Sequence, residues 1–133
     1  VAVKEIVGVR RFVAVDGGMG DNIRPALYDA RYHVVRADRL DEAVTKRTTV
    51  VGRYCESGDV LLRDVGLPPV EPGALLAIPM AGAYTLSMAS NYNLVPRPAL
   101  LLLQDGNHHI IQRRETVDDL LARDIPLPAM VAR

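Results

Sequence analysis

Thr48-Thr49-Val50-Val51-Gly52-Arg53-Tyr54-Cys55-Glu56-Ser57-Gly58-Asp59 is the stretch of this sequence that most directly indicates its fold. The β-branched residues at its beginning predict a strand over Thr48–Tyr54. The small and acidic residues that follow predict a polar turn at the end of that strand. A rigid strand displays the side chains of such a turn, and turns of this kind often carry function.

Other parts of the chain repeat the pattern of a short apolar run followed by turn residues. A hairpin is indicated by Asp105-Gly106-Asn107, which separates two apolar runs. Short strands with turns about 8 to 12 residues apart are typical of a β-sandwich or β-barrel. We therefore predict a mainly β fold. The predicted strands are Val7–Val15, His33–Val35, Thr48–Tyr54, Val60–Leu62, Ala74–Ile78, Ala99–Gln104 and His109–Arg113.

Helical segments are predicted to be few and short. Asn22–Tyr32 is compatible with a short helix that has proline in its first turn, or with an irregular loop. Gly82–Asn93 is likewise compatible with a short helix or a loop. Thr116–Ala122 is predicted to be a helix capped by Thr116, with two aspartates in its first turn. Turns are predicted over Gly66–Pro69 and Glu71–Gly73.

The composition is that of one ordinary globular domain over residues 1–133. The chain is 49% hydrophobic and 24% charged, and this length can bury a core without disulfides or metals. Its 16 basic and 16 acidic residues cancel, which argues against a basic face for nucleic acid or anionic lipid. No run approaches the roughly 20 apolar residues of a membrane helix. Because the chain begins at Val1 within an apolar run, we expect a trimmed or truncated product.

Cys55 is the single cysteine of the chain. A lone cysteine fits the reducing cytoplasm and argues against a secreted disulfide framework. Such a residue is most often a buried small hydrophobe, and less often a nucleophile or acid. The polar neighbours Glu56, Ser57 and Asp59 favour an exposed, chemically active cysteine.

Three other groups of residues suggest sites, but a structural interpretation is favoured for each. Gly17-Gly18-Met19-Gly20 lacks the third glycine and the βαβ setting of a dinucleotide loop, so a tight turn is predicted. His108 and His109 are adjacent, and adjacent strand residues face opposite sides, so exposed residues are predicted instead of a metal site. Arg113-Arg114-Glu115 is interpreted as a solvated strand end instead of an anion site.

Two further pairs of residues are ambiguous when each is taken by itself. Tyr84 and Tyr92 flank small residues that would let a ligand approach the backbone, yet core tyrosines are the simpler prediction. Arg24 and Tyr28 lie four residues apart, which on a helix places them on one face. A guanidinium and a phenol so placed can bind a carboxylate.

The order of the short motifs along the chain is more specific than any one of them. The motifs are Val15-Asp16-Gly17-Gly18-Met19, Arg24-Pro25-Ala26-Leu27-Tyr28, Cys55-Glu56-Ser57-Gly58-Asp59, Gly82-Ala83-Tyr84, Met88-Ala89-Ser90-Asn91-Tyr92-Asn93 with Arg97-Pro98, and Arg113-Arg114-Glu115-Thr116. Over nearly the whole chain this order resembles the C-terminal β-domain of diaminopimelate decarboxylases. These are pyridoxal 5'-phosphate enzymes of the alanine racemase/ornithine decarboxylase type. The family converts meso-2,6-diaminopimelate to L-lysine, the last step of lysine biosynthesis.

The resemblance implies a role for each of several residues. Cys55 matches the proton donor, and a thiol with a pKa of about 8.5 is a suitable acid near neutral pH. Arg24 and Tyr28 match ligands of the substrate carboxylate, and Glu56 matches the residue that receives the distal ammonium. Tyr84 matches a residue that touches both cofactor and substrate. Since Cys55 and Glu56 of the family enter the site of the partner subunit, a homodimer is implied.

The resemblance also implies that part of the enzyme lies outside this sequence. The cofactor needs a buried lysine on a (β/α)8 barrel, and neither Lys4 nor Lys46 has such a setting. We therefore expect the chain alone to be inactive, whether as a fragment or as one chain of a split enzyme.

Two departures from the family pattern leave alternatives open. Gly20 stands where serine is usual, which affects only a local turn contact. Asp29 stands where glycine is common, and in ornithine decarboxylases an acid there faces a substrate amine. An ornithine- or arginine-type decarboxylase domain is therefore one alternative. A non-catalytic β-domain that binds a decarboxylase is the other.

Overall fold

The computed structural model describes residues 2–6 and 10–127, and within them the protein is mainly β. The prediction of a mainly β fold with a few short helices is confirmed. The strands are β1 (Ala2–Ile6), β2 (Arg10–Ala14), β3 (Val35–Arg36), β4 (Lys46–Val51), β5 (Val60–Leu67), β6 (Leu76–Ala77), β7 (Leu100–Gln104) and β8 (Asn107–Gln112). The helices are α1 (Arg24–Tyr28), α2 (Gly82–Met88) and α3 (Val117–Leu121), with a single 3₁₀ turn at Tyr92–Leu94.

A four-stranded sheet in the order β1-β2-β4-β5 forms the centre of the described fold. Strands β2 and β4 are parallel, and the other neighbouring pairs are antiparallel. In the register, Val13 pairs with Val50, and Val50 pairs with Leu62. These three side chains are buried, so the sheet places a continuous apolar row in the interior.

A two-stranded sheet made of β3 and β6 completes the core. Val34, which precedes β3, is buried in one cluster with Val50, Leu61, Leu62 and Leu67, and Leu76 and Ile78 pack against that cluster. A second buried cluster contains Val13, Val70 and Ala74. Both clusters include residues of the central sheet, and strands β4 and β5 of that sheet are joined by the polar loop of residues 52–59.

Strands β7 and β8 form the predicted hairpin. Gln104 pairs with Asn107, and the two turn residues Asp105 and Gly106 have φ values of 49° and 75°. Two consecutive positive φ angles are characteristic of a type I′ turn, whose twist matches that of the strands. The apolar side chains of this hairpin are exposed: Leu101, Leu102, Leu103, Ile110 and Ile111.

Several predicted element boundaries differ from the observed ones. Strand β5 continues to Leu67, so the turn predicted from Gly66 is wrong at its first two residues, because Gly66 pairs with Arg47 in the sheet. Strand β4 begins at Lys46 and ends at Val51, earlier than predicted at both ends. The predicted strand Ala74–Ile78 is reduced to Leu76–Ala77.

The other predicted elements agree more closely with the structure. Predicted strand Val7–Val15 corresponds to β2, and residues 7–9 lie outside the described residues. Predicted strand His33–Val35 overlaps β3 by one residue. The helical alternative holds for α1, with proline in its first turn, and only in part for α2, where Ala83 and Tyr84 have non-helical backbone angles. Thr116 caps α3, as predicted, and it also forms a complete capping box with Asp119. Among the described helices, none is long and apolar enough to cross a membrane.

Arg36 is a buried cation that ties β3 to the chain before β6. Its guanidinium forms ion pairs with Asp38 at 3.0 Å, Glu42 at 3.2 Å and Glu71 at 2.6 Å, and it donates to the carbonyl of Pro69. The side-chain hydrogen bond from Arg36 lowers the pKa of Asp38 and the pKa of Glu71. The guanidinium therefore satisfies several acceptors that belong to separate segments.

These pKa shifts predict a loss of stability in acid. Because both carboxyls have pKa values below their ordinary 3.8 and 4.5, the folded state binds fewer protons than the unfolded chain. Their stabilising contribution is present above about pH 5 and is lost as the pH falls through the folded pKa values. We expect the Arg36→Met variant to show a weaker dependence, measured by thermal unfolding from about pH 6 to about pH 3. The exposed Arg63→Met serves as control, and an unchanged acid dependence in Arg36→Met would contradict this account.

Candidate functional site

The loop between β4 and β5, residues 52–59, carries Cys55 and Glu56. Cys55 is exposed and has a φ of 50°, in the left-handed region that few non-glycine residues adopt. Cys55 is therefore not a buried small hydrophobe, and the exposure expected from its polar neighbours is confirmed. A residue held in this strained conformation must be fixed by its surroundings.

Asp59 fixes the two ends of this loop. Its side chain is 4% exposed, and its Oδ2 accepts a hydrogen bond from the amide of Tyr54 at 2.8 Å. Its Oδ1 accepts a second from the amide of Met19 at 2.7 Å, and its carbonyl accepts one from Gly52 at 3.0 Å. A side chain at Gly52 would overlap the Asp59 carboxylate, so this approach requires glycine. One buried carboxylate thus joins the Cys55 loop to the turn after β2.

The turn after β2 packs on the ring of Tyr54, which is 2% exposed. Burial is the main cause that raises the pKa of the Tyr54 phenol, with the nearby charge of Asp21 adding to it. A Cβ at Gly20 would overlap the Tyr54 hydroxyl, which accounts for glycine at this position. The amides of Asp21 and Asn22 both donate to the carbonyl of Gly18, so the predicted tight turn is confirmed.

Tyr92 contacts Glu56 from the outer side of the loop. Its ring stacks on Tyr54 with centroids 6.0 Å apart, and its hydroxyl donates to Glu56 Oε2 at 3.3 Å. The Ser57 hydroxyl donates to Oε1 at 3.2 Å. The pKa of Glu56 is lowered, first by Ser57 and then by the Gly58 amide and Tyr92. Glu56 is therefore an exposed carboxylate that strongly favours the ionised state.

The turn that carries Tyr92 is itself tied to two other segments. Asn93 donates through Nδ2 to the carbonyl of Tyr54 at 2.8 Å. Asn91 donates to Glu115 at 2.5 Å and accepts from Arg97 at 3.1 Å. Hydrogen bonds from the Arg97 amide and Asn91 hold the pKa of Glu115 below its usual value, with burial acting in the opposite direction. Glu115 therefore has a structural role that the interpretation of Arg113–Glu115 as a solvated strand end missed.

Helix α1 carries Arg24 and Tyr28, the two residues predicted to bind a carboxylate. The guanidinium of Arg24 lies 5.1 Å from the centre of the Tyr84 ring, in a cation–π contact. Tyr28 is on the same helix and is 63% exposed. Tyr84 and Tyr92 are 66% and 43% exposed, so their placement in the core is wrong. The exposure leaves the phenol of Tyr28 and the ring of Tyr84 accessible to a ligand.

The structure thus contains two groups of candidate residues. Arg24, Tyr28 and Tyr84 belong to α1 and α2, whereas Cys55 and Glu56 lie on the loop supported by Asp59 and Tyr92. His108 and His109 are exposed on β8, as predicted. Within residues 2–6 and 10–127, no cluster of three or more His, Cys, Asp or Glu side chains suited to a metal occurs.

Comparison with known families identifies the fold. The sequence model described as pyridoxal-dependent decarboxylase, C-terminal sheet domain, matches residues 1–82. The chain belongs to this family. It is 51% identical over 92% of its length to diaminopimelate decarboxylase from Bacillus subtilis, and 55% identical over 89% to that from Actinosynnema pretiosum. It superposes with a TM-score of 0.87 and 40% identity on diaminopimelate decarboxylase from M. jannaschi, over 97% of this chain.

The chain spans less than a third of the relatives it matches. It covers 28% of the B. subtilis protein, 27% of the Actinosynnema protein and 29% of the M. jannaschi chain. A pyridoxal cofactor requires a lysine that can form a covalent link, and Lys46 is exposed at the start of β4.

The conformation of Asp29 explains a departure from the family pattern. Asp29 ends α1 with a φ of 51°, and its amide donates to the carbonyl of Arg24. Left-handed residues at helix ends are usually glycine, and aspartate is among the few others that tolerate this conformation. The acid at position 29 is therefore accounted for by the end of the helix.

We expect Asp59→Asn to destabilise the decarboxylase domain. Asparagine has one acceptor oxygen, so its NH₂ group would face one of the two backbone N–H groups, and that N–H group would lose its acceptor. A buried unsatisfied donor costs about 1 to 3 kcal/mol of unfolding free energy, measurable by denaturant titration. The exposed hairpin residue Asp105→Asn provides the control, with an expected change within about 0.5 kcal/mol. Equal effects of the two substitutions would show that Asp59 has no special role.

Proposed function

We propose that residues 1–133 are the C-terminal β-domain of a diaminopimelate decarboxylase, which converts meso-2,6-diaminopimelate to L-lysine with release of carbon dioxide. The observation that carries this proposal is the paired display of an exposed thiol and an ionised carboxylate, Cys55 and Glu56, on a loop fixed by buried Asp59. The 51% identity to the B. subtilis enzyme supports the choice of substrate. The proposal includes a separate barrel domain, which would carry the lysine that binds the cofactor.

Substrate binding is assigned to charged and phenolic groups. Arg24 and Tyr28 bind the carboxylate at the end of the substrate that does not react, because a guanidinium and a phenol are complementary donors. Glu56 binds the ammonium at that same end through its ionised carboxylate, whose pKa is lowered by hydrogen bonds from Ser57, the Gly58 amide and Tyr92. A substrate with a second amino-acid group would satisfy both sets of ligands.

Cys55 is assigned as the catalytic acid. Withdrawal of electrons from Cα is the chemistry that pyridoxal 5'-phosphate supplies when bound. After carbon dioxide leaves, Cα needs a proton, and the Sγ–H of Cys55 donates it. Tyr84 would contact both cofactor and substrate, and its cation–π contact with Arg24 would orient the guanidinium. The lysine that binds the cofactor comes from the barrel domain.

A homodimer with shared sites accounts for the two groups of candidate residues. We assign Arg24, Tyr28 and Tyr84 to one site, and Cys55 and Glu56 to the site of the partner subunit. The exposed apolar side chains of β7 and β8 suit burial in this larger assembly. A single exposed cysteine is also compatible with the reducing cytoplasm.

The alternatives receive less support. In an ornithine-type domain Asp29 would face a substrate amine, but its place at the end of α1 accounts for an acid there without that role. A non-catalytic binding domain would not require Cys55 to adopt a strained, exposed conformation beside an ionised carboxylate.

The proposal predicts that the full-length protein releases carbon dioxide from meso-diaminopimelate and that Cys55→Ala reduces turnover about 10²- to 10⁴-fold. The cofactor absorbance should be retained, because the thiol acts on Cα and does not hold the cofactor. Cys55→Ser keeps the size of the side chain but lacks an acidic thiol, and should be similarly impaired. Near-normal lysine production by both variants would exclude Cys55 as the acid. If the wild type binds the cofactor but does not decarboxylate meso-diaminopimelate, that compound is excluded as the substrate.

A further inference from the structure

Two neighbouring residues of the 3₁₀ turn, Tyr92 and Asn93, contact the loop immediately before and after Cys55. Asn93 donates through Nδ2 to the carbonyl of Tyr54 at 2.8 Å. That carbonyl belongs to the peptide that joins Tyr54 to Cys55, so the bond restricts rotation of the peptide on the N-terminal side of the cysteine. Tyr92 donates through its hydroxyl to the Glu56 carboxylate at 3.3 Å, on the C-terminal side.

The turn that carries these residues is well suited to act as a rigid support. Tyr92 stacks on the buried Tyr54 ring, whose own amide is bound by Asp59. Asn91 donates to both the carbonyl of Val95 and the carboxylate of Glu115. Asn93 has a φ of 55°, a conformation that asparagine tolerates better than most residues. The side chains of Tyr92 and Asn93 therefore start from a fixed backbone.

We infer that Tyr92 and Asn93 are positioning residues for the proposed reaction, with different targets. Tyr92 holds the Glu56 carboxylate where it receives the second ammonium of the substrate, and so contributes to specificity for a diamino acid. Asn93 holds the Tyr54–Cys55 peptide, and so directs the Cys55 thiol. This inference rests on the proposed function, but its effect on Glu56 can be measured without turnover.

For Tyr92→Phe in the full-length enzyme, we expect a KM for diaminopimelate about three- to tenfold higher, with kcat within about twofold of wild type. The probe for the second ammonium is 2-aminopimelate, which keeps both carboxylates and lacks that group. Its inhibition constant should not change in Tyr92→Phe. Tyr32→Phe, which removes a hydroxyl elsewhere in the domain, is the matched control and should behave as wild type.

For Asn93→Gly we expect an effect on kcat instead of KM: kcat should be about tenfold lower than in the wild type, and KM should stay within about twofold. Glycine adopts the same positive φ, so the substitution removes the amide donor without adding backbone strain. Asp105→Gly is the matched control, because Asp105 has a φ of 49° in the exposed hairpin turn. A loss of folded protein would lower the apparent kcat and leave KM unchanged, so kcat is normalised to the amount of bound pyridoxal cofactor. A normal kcat per bound cofactor in Asn93→Gly, or an unchanged KM in Tyr92→Phe, would overturn the inference.

The pKa of Glu56 provides the measurement that does not depend on activity. Removal of the Tyr92 hydroxyl withdraws one hydrogen bond from the ionised carboxylate, so the pKa of Glu56 should rise toward its ordinary 4.5 in Tyr92→Phe. Titration of ¹³C-labelled glutamate in the full-length protein detects the change. If the wild type does not decarboxylate diaminopimelate but this pKa rises, the proposed function fails and the Tyr92–Glu56 contact stands. An unchanged pKa contradicts the contact itself.

Discussion

The two hydrogen bonds accepted by the buried Asp59 carboxylate are the constraint on which the rest of the candidate site depends. They join the amide of Tyr54, at the start of the Cys55 loop, to the amide of Met19 in a turn after another strand. A buried carboxylate is stable only when its oxygens are satisfied by donors of this kind. Both segments must therefore keep their positions together, and Cys55 remains displayed in a left-handed conformation that an unsupported loop would relax.

Two tyrosines support this loop in different ways. Tyr54 is buried and forms the surface on which the glycine turn packs, whereas Tyr92 covers its outer face and reaches the Glu56 carboxylate. Hydrogen bonds from Ser57, the Gly58 amide and Tyr92 lower the pKa of Glu56, so this pKa depends on the conformation of the loop and on the position of Tyr92. The same loop therefore carries both the left-handed conformation of Cys55 and the hydrogen-bonded carboxylate of Glu56.

Features that depend on local chemistry could be predicted from the sequence. The hairpin at Asp105 and the helix N-cap at Thr116 follow from residues a few positions apart, and both are observed. The extension of β5 through Gly66 could not be predicted, because it depends on pairing with β4. The contact from Asp59 to Met19 spans 40 positions, and that from Tyr92 to Glu56 spans 36. Such contacts arise from packing, so the sequence indicated Cys55 and Glu56 as candidates but not the residues that hold them.

A crystal structure of the full-length protein with bound L-lysine tests the central claim most directly. Lysine keeps the amino-acid end of diaminopimelate that does not react, so its carboxylate should contact Arg24 and Tyr28. Its α-ammonium should lie within hydrogen-bonding distance, about 3 Å, of the Glu56 carboxylate. The Cys55 thiol should face the carbon that has lost its carboxylate. Lysine bound away from Glu56, with Cys55 directed to solvent, would contradict the account.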